Sequence, residues 1–210
     1  MSDRLKVRVL RAADRAASLW KNGGGVTREI AVLPEGAGMD DFVVRVSLAE
    51  VAADGPFSAF PGIDRTLTLA EGAGMDLTVG GQRRLVDERF APQHFRGDEP
   101  TECRLLAGPV VNFNVMYRRG AAGVQTAVVR GDLTVSVTTD EAVLVVALQE
   151  PVAVEAPLGE ALTLDPYDAV LLEGSLIDLV RISGRAAVVR LRPLPSGRKG
   201  GRAGSLPRPA

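Results

Sequence analysis

W-K-N-G-G-G-V-T-R-E-I, residues 20–30, runs from an aromatic through three glycines into an alternating stretch. Glycine admits positive φ and lets the backbone come close to another strand or a ligand. Val26, Arg28 and Ile30 then alternate with Thr27, Glu29 and Ala31, which is the period of a β-strand. A permissive turn therefore delivers Asn22, Thr27, Arg28 and Glu29 onto the two faces of a sheet. Polar groups concentrated this way on a β scaffold point to a ligand-binding surface.

The same short, β-branched rhythm fills the rest of the chain. Strands are expected at 5–10, 41–48, 65–70, 75–79 and 82–86, separated by glycine-rich hairpin signals. After Gly120 they recur at 124–129, 133–137, 142–148, 152–154, 161–164, 169–172, 178–182 and 186–191. Many short strands at regular spacing predict an all-β sandwich or barrel. Helix signals are weak: D-R-A-A-S-L-W at 14–20 suggests a turn or two, and S-L-A-E-V-A at 47–52 a bend off the end of its strand. Strand rhythm on either side of Gly108–Gly120 suggests two β lobes, 1–107 and 108–195. The Gly-, Pro- and Arg-rich tail 196–210 reads as disordered.

Composition narrows the function. At 210 residues and 46 % apolar content the chain can bury a large core. A net charge of −1 argues against nucleic acid or an anionic membrane as partner. No apolar run approaches the length of a membrane-spanning helix, and the N-terminus lacks the apolar core of a signal peptide, so a cytoplasmic protein is expected. One cysteine excludes an intrachain disulfide, and one histidine cannot by itself build a transition-metal site. Positive charge is nearly all arginine, which is suited to gripping carboxylates two N–H groups at a time.

Four clusters could carry chemistry. The first is Asn22 to Glu29. In the second, Arg45 and Ser47 share one strand face and Val44, Val46 and Leu48 the other, so the polar pair faces either solvent or a cavity. The third, D-G-P-F-S-A-F-P-G-I-D-R at 54–65, brings Phe57 and Phe60 together as a lid or as the plug of a sandwich end, with Asp64 and Arg65 paired or orienting one another. The fourth, 95–120, puts Asn112, Asn114 and Met116 on one parity; buried amides must be satisfied, and loop capping is preferred over ligand contact. His94 reads as a loop residue, and Cys103 as a buried one whose only candidate partner as a nucleophile is His94.

W-K-N-G-G-G-V-T-R-E-I, then F-V-V-R-V-S-L-A-E-V-A-A-D-G-P-F-S-A-F-P-G-I-D-R, then F-R-G-D-E-P-T-E-C-R-L-L-A-G-P-V-V-N-F-N-V-M-Y-R-R-G, resemble the HutD/Ves family over roughly 5–192. The resemblance implies a cupin-like double-stranded β-helix or β-sandwich with two lobes in one chain, a bicupin. In the HutD branch it implies regulation of histidine utilisation through a small acid such as formylglutamate or urocanate; the Ves branch is tied to stress and cold response. It maps a pocket onto Asn22, Gly23, Gly24, Gly25, Thr27, Glu29, Arg45, Ser47, Phe57, Ser58 and Arg65. Many cupins hold a metal with three histidines and a glutamate; one histidine rules that set out by count, so no cofactor is expected.

The leading reading is thus a metal-free binding protein for a small carboxylate. Arg45 or Arg65 would grip the acid, the Gly23–Gly25 amides would form an anion nest, and Asn22 and Thr27 would set orientation. The alternative is a metal-independent isomerase or hydrolase with Glu29 as general base, which requires a desolvated Glu29. A third reading is a protein-interaction module with a vestigial pocket. By analogy with other cupin-like lobes, a homodimer is expected.

Overall fold

The structure, a computed structural model, describes residues 5–20, 23–157, 159, 161–174 and 177–194. Asn22 and the tail 196–210 lie outside the described residues. The strands of the first half are β1 (Lys6–Leu10), β2 (Ala17–Leu19), β3 (Gly25–Leu33), β4 (Val44–Val51), β5 (Gly55–Phe57), β6 (Ile63–Glu71), β7 (Met75–Val79), β8 (Gln82–Val86), β9 (Pro92–Arg96) and β10 (Thr101–Leu105). They are followed by β11 (Val110–Arg118), β12 (Ala122–Val137), β13 (Ala142–Ala147), β14 (Val152–Glu155), β15 (Leu162–Leu164), β16 (Ala169–Glu173) and β17 (Asp178–Pro193).

These strands form three antiparallel sheets. One runs β2-β3-β4-β11-β6-β9, a second β5-β10-β7-β8, and a third β1-β16-β13-β17-β14-β15 with β12 on the other side of β17. Side chains alternate across a strand, so β4 and β11 can face two different neighbours at once. Val44, Val46, Leu48, Phe113 and Val115 point backwards onto Leu144, Val146, Ala187 and Val189 of the seven-stranded sheet. At the front, Val51, Leu67, Leu69 and Val110 pack on Met75, Leu77, Val79 and Cys103 of the four-stranded sheet. The other face of the seven-stranded sheet closes on itself around Val143, Val145, Val170, Leu172 and Ile182.

Sheet membership does not follow the expected division at 107/108. β11 lies between β4 and β6 in the six-stranded sheet, while β1 pairs with β16 in the seven-stranded one. The two pairs of strands expected within 124–137 and 178–191 are single strands of 16 residues, paired in one register through Gly131 and Gly184. Positive φ at both glycines (90° and 124°) lets this ribbon turn from β13 to β14 without breaking its ladder.

Helical expectations fail where cross-strand bonding takes over. Residues 12–14 form a 3₁₀ turn whose Ala12 N–H donates to Asp168 Oδ1 at 2.7 Å, and Ala17–Leu19 extends into β2. β4 continues to Val51 without bending, because β3 and β11 pair with it along its full length. His94 sits not in a loop but on β9, an edge strand where Pro92 is tolerated.

The back face of β11 makes a direct prediction. Phe113 is fully buried between the six- and seven-stranded sheets. Phe113→Ala is expected to lower stability by about 3–5 kcal/mol, read as a shift in the midpoint of denaturant unfolding with the slope unchanged.

Candidate functional site

Three rows of side chains cross the front of the six-stranded sheet. Register places Arg45, Met116 and Arg65 side by side on β4, β11 and β6. The next row is Ser47, Asn114 and Leu67, and beyond it lie Thr27, Ala49 and Asn112. These rows floor a cavity of about 600 Å³, walled by Trp20, Pro56, Phe57, Ser58 and Phe60, with Leu19 and Met39 also lining it. The polar face left open between solvent and cavity in the sequence is therefore a cavity face.

Arg65 is its electrostatic centre. It is only 9 % exposed, and no carboxylate pairs with it among the described residues. Its guanidinium carbon lies 5.3, 5.7 and 5.1 Å from the ring centres of Phe57, Phe60 and Phe95, a cage of three π faces. Burial among them pushes its pKa down to about 10, so it remains charged at neutral pH. Its Nε has no hydrogen-bond partner among the described residues, and neither do Asn112 Oδ1 and Asn114 Oδ1. Buried polar atoms without partners are costly to the fold, and here they gather round one hollow.

Arg45 differs. Its Nε donates to Glu29 Oε2 at 2.8 Å, across the β3–β4 pair. The Glu29 side chain is 42 % exposed and does not line the cavity. A solvated, ion-paired carboxylate is the reverse of the desolvated base that the enzymatic alternative needs, and Glu29 is corrected from ligand contact to partner of Arg45.

The glycine turn is corrected too. Gly23 N–H donates to the Trp20 carbonyl (3.0 Å), Trp20 N–H to the Gly25 carbonyl (3.0 Å), and Ala52 N–H to the Gly24 carbonyl (2.9 Å). None of Gly23, Gly24 and Gly25 lines the hollow. Gly25 instead makes room. A β-carbon there would lie 2.4 Å from the Glu50 carbonyl oxygen and 3.1 Å from two carbons of the indole of Trp20. Trp20 lies across this bare backbone, donates from Nε1 to Thr27 Oγ1 at 2.8 Å, and meets Phe57 edge to face at 6.2 Å.

The structure thus brings together Thr27, Arg45, Ser47, Phe57, Ser58 and Arg65 of the expected set; Asn22 lies outside the described residues. Trp20, Asn112, Asn114 and Met116 were missing from it. The amides cap no loop: Asn114 Nδ2 donates to the Asn112 carbonyl at 3.4 Å, and Asn112 Nδ2 approaches Met75 Sδ at 3.8 Å. Their parity with Met116 was the available signal. Asp64 pairs with Arg119 (2.6 Å) rather than Arg65, because consecutive residues of a strand face opposite ways. Cys103 is no nucleophile: burial pushes its thiol up to about 11, and its contact is Met75 Sδ at 3.8 Å, while His94 Nδ1 lies 2.9 Å from Thr66 Oγ1. Among the described residues no three His, Cys, Asp or Glu side chains converge as metal ligands, and no helix is long and apolar enough to cross a membrane.

The family model HutD matches residues 12–189. A Pseudomonas putida protein described as an uncharacterized 21.2 kDa protein in the hutC 3′ region is 35 % identical over 190 residues, covering 89 % of this chain and 97 % of its own. Protein Ves of Cronobacter sakazakii is 38 % identical over 112 residues, 53 % of this chain and 60 % of its own. The structure of HutD from Pseudomonas fluorescens SBW25 (formate condition) superposes with a TM-score of 0.81 at 34 % identity, covering 90 % of this chain and 100 % of that one. A cupin 2 conserved barrel domain protein from Leptotrichia buccalis, 9 % identical, shares the fold alone, with a TM-score of 0.53 over 81 % of this chain and 89 % of that one. The all-β, cupin-like expectation holds.

An uncompensated buried charge that serves binding should weaken the empty protein. Arg65→Met, which keeps an unbranched side chain among the three rings, is expected to raise stability by about 1–4 kcal/mol while abolishing binding of acids. Thermal melts and calorimetry on the same sample check both halves.

Proposed function

Because the chain belongs to the HutD family, we propose that it is a binding protein for a small carboxylate metabolite, formylglutamate or urocanate, through which histidine utilisation is regulated. One observation carries this reading: a charged, nine-tenths-buried guanidinium opens onto a hollow with no carboxylate opposite it among the described residues. Desolvation of Arg65 has already occurred in folding, so an incoming carboxylate meets a cation stripped of water and held in place by its ring cage. The hydroxyls of Ser47 and Thr27 and the side-chain amides of the two asparagines surround the remaining volume, and Trp20, Phe57 and Phe60 cover the ligand's apolar part. The 3′ position beside hutC of the P. putida relative supports the pathway.

Calorimetry with formylglutamate, urocanate, glutamate and formate tests the proposal. Heat of saturable binding with at least one acid is expected; none with any of them, in a folded sample, overturns it. A pH series adds a sign. A carboxylate stabilises the charged form of Arg65, so affinity should stay level up to about pH 9 and fall as pH rises through the free pKa of about 10. Quenching of Trp20, the single tryptophan of the chain and part of the cavity wall, reads both series.

A further inference from the structure

We infer that Asn112 and Asn114 restrict this cavity to acids that also carry an N–H or O–H donor. The inference rests on reading the hollow as a carboxylate site and concerns what else its ligand must present. Both asparagines line the hollow, and they are only 1 % and 5 % exposed. Neither Oδ1 has a hydrogen-bond partner among the described residues. The nitrogens are engaged elsewhere. Asn112 Nδ2 approaches Met75 Sδ at 3.8 Å, and Asn114 Nδ2 donates to the Asn112 carbonyl at 3.4 Å. Turning either amide over would set its oxygen against that acceptor, so it is the oxygens that are left over.

The neighbouring strands supply no donor to these oxygens. Asn112 stands between Ala49 and Leu69, and Asn114 between Ser47 and Leu67. β4 is flanked by β3 and β11, and β6 by β11 and β9, so their backbone N–H groups lie in the sheet plane and are committed to its ladders. Ser47, the one hydroxyl alongside, makes no hydrogen bond to Asn114 Oδ1. A buried acceptor left this way favours a ligand that brings it a hydrogen and penalises one that covers it with a methylene or an oxygen. The cation is close by. Arg65 lies opposite Met116, which puts Asn114 on its diagonal, about 7–8 Å away between backbones. One small molecule can therefore set a carboxylate on Arg65 and a donor on Asn114, with Asn112 one row further on. An acylated amino group beside a carboxylate fits this pattern, and so does a ring N–H; formylglutamate carries the first and urocanate the second.

The test compares acids of equal charge that differ in one donor. Formylglutamate is set against its analogue with CH2 in place of N–H, and urocanate against 3-(3-furyl)acrylate, whose ring has no N–H. Calorimetric titrations are run at about pH 8, where imidazole is neutral. Within each pair the grip of Arg65 on the carboxylate is the same, so the ratio reads the asparagines. In whichever pair binds, wild type is expected to hold the N–H acid at least about tenfold more tightly. A smaller preference overturns the inference. Asn112→Leu and Asn114→Leu keep the volume and remove the acceptor. In at least one of them the preference should fall by about threefold or more, because the acid without a donor no longer covers an orphaned oxygen. A smaller fall in both overturns the inference. Should the variants not fold, the wild-type comparison decides alone, since it needs no substitution. Equal binding within each pair removes this inference and leaves the carboxylate reading standing. Binding of none of the four acids removes the carboxylate reading beneath it.

Discussion

Arg65 is a cation that the fold keeps dry without neutralising it. Three phenyl rings from β5, the following loop and β9 hold its guanidinium, and the sheet beneath offers amides and hydroxyls but no carboxylate facing it. Such an arrangement is unfavourable in isolation and persists only where surrounding packing over-determines it. That packing is extensive. The back of the same sheet is welded by valine, leucine and phenylalanine to a second sheet, and its front margin to a third. The hydrophobic contacts on two sides maintain a charge that no ion pair among the described residues stabilises.

The turn at 23–25 shows how local sequence serves this centre indirectly. Its glycines lie outside the lining of the hollow. They remove a side chain where the backbone of β4 and the plane of an indole both need the space. Trp20 can then bond Thr27 and touch Phe57, joining the β2–β3 edge of the cup to the β5 wall.

Much of the architecture was legible because strand period and glycine punctuation are local properties. The alternation of residues 44–48 correctly separated an apolar face from a polar one. Other features depended on partners distant in sequence. β9 begins with proline and carries the one histidine, so it reads as a loop until β6 pairs with it. Gly131 and Gly184 look like breaks between strands, yet they face each other in one ladder and act as a bend. Arg45 and Arg65 are indistinguishable as letters. Their different chemistry arises from Glu29 standing on the strand beside one of them, and from nothing comparable beside the other. Asn112 and Asn114 were recognisable as odd for a buried sheet, but only the register with Ser47 and Leu67 shows which hollow they face.

The rear attachment of the six-stranded sheet has a consequence for how this scaffold can diversify. A sheet anchored over β4 and β11 cannot widen its front by flexing, so the hollow keeps its breadth whatever enters it. New ligand preferences in descendants of such a chain must then arise by exchanging side chains within the rows, or by remodelling the segments carrying Met39 and Phe60. The backbone acts as an inherited mould, and the alphabet set into it is what evolution is free to rewrite.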